Sequence, residues 1–74
     1  NKYVVYPNPA IDAVTIDGKN LKNVKIFNIH GELVFLNNIS NNKEIDISKL
    51  EKGMYLVELE DSFGFKINKK LIKN

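Results

Sequence analysis

The sequence predicts an all-β fold, a sandwich of seven short strands in two sheets, and three observations point there. Turn signals recur roughly every ten residues along the 74-residue chain, the spacing of short strands rather than helices. The segments between them are rich in β-branched and aromatic residues and alternate apolar with polar positions. No window of about eleven or more residues keeps the i, i+3, i+4, i+7 apolar pattern of an amphipathic helix.

The elements follow in order. Tyr3–Tyr6 opens the series and runs into Pro7-Asn8-Pro9. The two proline rings fix φ and push the residues before them out of the helical region, and Asn8 can bond nearby backbone. Ala13–Asp17 comes next, with Val14 and Ile16 on one face, and ends at the turn Asp17-Gly18-Lys19-Asn20. Val24–Ile29 and Leu33–Leu36 flank a turn across Asn28–Gly31. After the polar stretch Asn37-Asn38 and Ser40-Asn41-Asn42, Ile45 and Ile47 point one way around Asp46. Beyond Lys52-Gly53, Tyr55, Val57 and Leu59 alternate with Leu56, Glu58 and Glu60. Asp61-Ser62-Phe63-Gly64 then turns into the last strand, Phe65–Ile72. Seven such strands fit two packed sheets with Greek-key connections, and a small barrel is the structural alternative.

Leu50-Glu51-Lys52-Gly53-Met54-Tyr55 sharpens the reading. A leucine, a turn glycine and a tyrosine opening a strand make the arrangement of a tyrosine corner, which points to an immunoglobulin-like sandwich. Tyr55 is expected to bury its ring and return its hydroxyl to upstream backbone.

Size and composition limit function. A chain this short buries only about 60–65% of its unfolded surface, so residues 1–74 are expected to form one domain. With no cysteine, neither disulfides nor thiolate metal sites can staple it. No apolar run reaches the about 18–20 residues of a membrane span, so membrane insertion is not expected, and the first residues lack a secretory leader pattern. All eleven basic residues are lysine, and Asn, Lys and Ile together fill 31 positions, a bias that weakens any claim for lysine chemistry. Nucleic-acid binding would call for arginine and interleaved aromatics, and neither is present in density. The charge is nevertheless uneven: residues 62–74 carry +4 through Lys66, Lys69, Lys70 and Lys73, against −2 for residues 1–61.

Catalysis is not expected. His30, the single histidine, sits in a turn beside Gly31 with no second histidine or cysteine to complete a metal site. Asp12, Asp17, Asp46 and Asp61 fall in separate turns or strand ends without the order of a calcium loop, which leaves open only a weak site shared by two loops. Glu44 and Asp46 read as solvated charges on an outward strand face rather than an acid–base pair. None of Thr15, Ser40, Ser48 and Ser62 lies in a nucleophile elbow. No cofactor is expected.

Tyr6-Pro7-Asn8-Pro9 with Asp12, then Val24–Val34 through His30-Gly31, then Ile45-Asp46-Ile47-Ser48-Lys49-Leu50, Gly53-Met54-Tyr55 and the closing Lys69-Lys70-Leu71-Ile72-Lys73 form an ordered series across nearly the whole chain. The series resembles the C-terminal sorting domain of the type IX secretion system of Bacteroidetes. That resemblance implies an immunoglobulin-like sandwich at the C-terminus of a secreted cargo. It also implies recognition by an outer-membrane translocon and removal by a cell-surface sortase that can attach the cargo to anionic lipopolysaccharide. The domain would pass through the periplasm and end secreted or at the cell surface. Pro7, Asn8, Pro9, Asp12, Gly31, Asp46, Leu50, Gly53 and Tyr55 would be structural signature positions, and Lys69, Lys70, Leu71, Ile72 and Lys73 would carry translocon recognition.

Two readings of the tail follow. As an exposed edge it could add to a sheet of the translocon, with Leu71 or Ile72 filling pockets, and deleting Lys69–Asn74 would leave a folded or mildly destabilised domain. Alternatively, Leu71 completes the core and the lysines supply solubility. Two features depart from the family pattern. The chain starts two residues before the first strand, with no cargo or cleavage site in view, and Asp61–Phe65 is unusually apolar, so Phe63 is expected to pack or make a contact of its own. The alternative functions are a carbohydrate-binding or adhesion module, marked by an exposed row of Tyr3, Tyr6 and Phe63, and a spacer for a neighbouring catalytic domain, marked by a large apolar patch.

Overall fold

A computed structural model describes residues 3–38 and 44–74. Seven strands form two antiparallel sheets: β1 (Val4–Tyr6), β2 (Ala13–Asp17) and β5 (Glu44–Asp46) in one, and β3 (Leu21–Phe27), β4 (Leu33–Asn38), β6 (Gly53–Asp61) and β7 (Lys66–Lys73) in the other. The orders are β1-β2-β5 and β4-β3-β6-β7, so the chain crosses between sheets after β2, β4 and β5. This is the immunoglobulin-like sandwich, with β4 staying beside β3 instead of joining the smaller sheet as in constant-type domains. The turn read at Ser40-Asn41-Asn42 lies outside the described residues.

Both sheets contribute to one core. Val14, Ile16 and Ile45 face it from the smaller sheet, and Val24, Ile26, Val57, Leu59 and Leu71 from the larger, each at most 2% exposed. Ile47, just past β5, is equally buried, so Ile45 and Ile47 do share one side of Asp46. The period-two pattern of β6 is seen directly, with Tyr55, Val57, Leu59 and Asp61 inward.

Strand β3 differs from its expected limits. It starts earlier, at Leu21, because a register shift between Leu21 and Asn23 lets Leu21 and Val24 both reach the core although three positions separate them. It stops at Phe27 because Asn28 opens a tight turn, in which its main chain bonds Gly31 and Glu32 and its side chain adds further bonds. Asn28 Oδ1 accepts the amides of His30 and Glu32, and its Nδ2 donates to Glu32 Oε1 at 2.8 Å. Gly31 closes this turn at φ 78°, a left-handed conformation that favours glycine. Ile29, expected in the strand, therefore lies exposed in the turn.

Candidate functional site

The structure places the expected signature positions at turns and near strand ends. The Asp12 carbonyl accepts the Ile47 amide at 2.8 Å, while the Asp12 side chain stays exposed. Asp46 Oδ1 accepts the Ser48 amide at 2.9 Å, and that bond holds its carboxyl below the usual carboxylate range. Leu50 packs against the core and donates its amide to the Ile47 carbonyl. Gly53 starts β6 at φ 147°, with open space where a Cβ would stand, so its backbone angle rather than crowding favours glycine there. Tyr55 is 8% exposed, and its hydroxyl donates to the carbonyl of Glu51 four residues upstream. Tyr55→Phe is expected to cost about 0.5–1.5 kcal/mol, read as a lower urea midpoint at unchanged m-value.

The closing strand is fully part of the larger sheet. β7 pairs with β6 from Glu60↔Lys66 to Gly53↔Lys73. Alternation puts Ile67, Lys69, Leu71 and Lys73 on the core side, and Lys66, Asn68, Lys70 and Ile72 on the outer face. Leu71 is 0% exposed and belongs to the core, so it cannot fill a partner's pocket. Lys73 is 8% exposed, with its stem covered and its Nζ donating to the Asn74 carbonyl at 3.2 Å. Of the five residues assigned to recognition, Lys70 is exposed, and Lys69 and Ile72 are partly so.

The free edge expected at the end of this strand is not there. Asn8 Nδ2 donates to the Lys70 carbonyl at 2.8 Å, and Asn8 Oδ1 accepts the Ile72 amide at 2.9 Å. The Ala10 amide donates to the Ile72 carbonyl, and the Asn74 amide to the Ala10 carbonyl, both at 2.8 Å. Residues 8–10 thus occupy the outer edge of β7 from Lys70 to Asn74, with a parallel bridge between Ala10 and Lys73. Strand addition by a partner is blocked along that stretch, because the outward main-chain groups already have partners.

Beside Lys70 lies a feature that the alternating pattern concealed. Phe27, Leu56 and Lys70 stand in register across the outer face of the larger sheet, and with Ile29 and Met54 they line a shallow groove of about 630 Å³. Met54 and Leu56 are 47% and 43% exposed. The sequence signal for this face is the unbroken apolar run Met54-Tyr55-Leu56-Val57, which a strand wet on one side would interrupt with polar residues.

The hairpin between β6 and β7 is built on Asp61. Its carboxylate, in a residue only 1% exposed, accepts the amides of Phe63 and Phe65 at 2.9 Å each. The rings themselves do not pack: Phe63 is 71% exposed and Phe65 66%. The expectation that Phe63 packs fails because Asp61 satisfies the loop through its backbone alone. Tyr3 is buried, with its hydroxyl donating to the Lys19 carbonyl, and burial followed by the nearby Asp61 charge pushes its phenol upward. The row Tyr3, Tyr6, Phe63 therefore does not form. Among the described residues, no three His, Cys, Asp or Glu side chains cluster as metal ligands would.

A family model described as a secretion system C-terminal sorting domain matches residues 4–74. The chain is 30% identical over 71 residues to β-agarase D of Zobellia galactanivorans, an alignment covering 96% of this chain and 15% of that protein. It is 36% identical over 73 residues to an endo-acting ulvan lyase of Formosa agariphila, covering 92% of this chain and 14% of that protein. The chain thus spans only about one-seventh of the length of these curated relatives. With the β-sandwich in place and the match running through its last residue, the chain belongs to the C-terminal sorting domain family of the type IX secretion system, a family of sorting signals rather than of catalysts.

Proposed function

We propose that residues 1–74 act as one sorting module that takes an upstream cargo from the periplasm across the outer membrane and is read as a folded sandwich. A translocon component reads the outer face of β7 through Lys70 and Ile72. The adjoining Phe27, Met54 and Leu56 offer apolar contact, and Lys70 offers a charge for an acidic partner residue. A surface sortase then removes the module, leaving the cargo free or anchored to lipopolysaccharide. The relatives' names suggest a polysaccharide-degrading enzyme as cargo.

One observation supports the folded reading above the others. Leu71 is buried and every residue from Lys66 to Lys73 is paired with β6, so the closing segment has its orientation only within the sandwich. The test fuses residues 1–74 to a periplasmic reporter in a bacterium with the secretion machinery. The expected result is reporter at the cell surface or in the medium, and retention in the periplasm would contradict the proposal.

A second reading, carbohydrate binding or adhesion, draws on the exposed Phe63 and Phe65 on their Asp61-braced hairpin. Retention of the reporter fusion on a polysaccharide matrix would favour it.

A further inference from the structure

The Pro7–Ala10 segment lies more than 60 residues from the groups it bonds, which are Lys70 and Ile72 of β7 and Asn74 just beyond it. Pro7 and Pro9 have no N–H, so a main-chain ladder cannot run through them. The Asn8 carboxamide fills the gap. It presents one acceptor to the Ile72 amide and one donor to the Lys70 carbonyl, the same pair that a main-chain peptide group of a neighbouring strand would supply. Ala10, fully buried, anchors the segment one step further along.

Resting on the sorting reading above, we infer that Asn8 is a positioning residue for recognition: its side chain closes the outer edge of β7, whose register β6 sets, and so holds Lys70 and Ile72 in their outward presentation. Donor and acceptor are needed together. Asn8→Asp keeps an acceptor for Ile72 but sets a carboxylate oxygen against the Lys70 carbonyl, and Asn8→Ala loses both bonds. Asn8 is exposed, so water can replace its bonds in either variant. The effect therefore falls on the order of the last five residues more than on the core.

The test compares the unmodified reporter fusion with Asn8→Ala, Asn8→Asp and Ile26→Val, the last a core variant expected to lower Tm and placed on a strand that does not pair with β7. Amide exchange is read on the same domain. For Asn8→Ala, exchange at Ile72 is expected to be about tenfold faster while Val24, Ile26 and Val57 amides keep pace with the change in Tm. Export is expected to fall several-fold below that of the Ile26→Val fusion compared at equal fraction folded, with Asn8→Asp behaving like Asn8→Ala. Unchanged exchange at Ile72, or export of Asn8→Ala equal to that of Ile26→Val, overturns the inference alone. Retention of the unmodified fusion overturns the sorting reading, and the inference with it.

Discussion

Removing residues 69–74 is expected to unfold the domain. The truncation deletes Leu71, which is 0% exposed, and strips the partners of Gly53 through Val57 from β6. It also leaves the buried Ala10 without the Ile72 carbonyl and the Asn74 amide, and unpaired main-chain groups in a buried position are costly. Leu71→Ala alone is expected to cost about 2–5 kcal/mol. A 74-residue domain has roughly 4–11 kcal/mol in all, so the single substitution takes a large share and the truncation exceeds what remains. Far-UV circular dichroism and urea titration of the two variants check this. A cooperative transition for the truncated chain with an unchanged midpoint would refute the placement of β7. This expectation is a reversal of the sequence reading that let the truncated domain stay folded, for the reason that Leu71 faces inward.

That reversal shows where the sequence stops being informative. Lys69-Lys70-Leu71-Ile72-Lys73 has no alternation, so neither Leu71 nor Ile72 declares itself as the inward residue. The choice is made by the β6 register, Tyr55↔Leu71, which a single strand does not carry. Strand β6 is more legible, since Val57 and Leu59 alternate with Glu58 and Glu60, which fixes the inward parity even though Met54 and Leu56 are apolar. The tyrosine corner is legible too, because its hydrogen bond closes over only four residues.

The edge closure by Asn8 leaves no periodic trace. One side chain substitutes for a peptide group across a sequence separation of more than 60 residues, and Pro-Asn-Pro by itself reads only as a turn. The apolar outer face is only partly legible, through the run Met54-Tyr55-Leu56-Val57. Phe27, Met54, Leu56 and Ile72 lie on three strands, and only the pairing of β3, β6 and β7 brings them side by side. The candidate site was therefore legible as a segment, residues 69–73, but not as a surface. Within it Lys70 is exposed and Lys69 and Ile72 are partly so, and the outer-face neighbours of Lys70 and Ile72 are drawn from elsewhere in the chain.

The second large effect separates a folded signal from a linear one. Ile26 is 0% exposed at the centre of β3, a strand that pairs with β4 and β6 and makes no pair with β7. Ile26→Asp puts an unpaired carboxylate into the core, a cost of several kcal/mol that a domain of this size does not withstand. Every residue of the tail is unchanged in this variant. If recognition requires the sandwich, the reporter fused to the Ile26→Asp domain stays in the cell although Lys69–Lys73 are intact. Pulse-chase of that fusion beside the unmodified one, counting exported, retained and degraded reporter separately, is the most direct measurement. Export of the unmodified fusion with loss of export for Ile26→Asp is the predicted result. Equal export from the unfolded variant would show that the tail is read as a linear peptide and contradict the account.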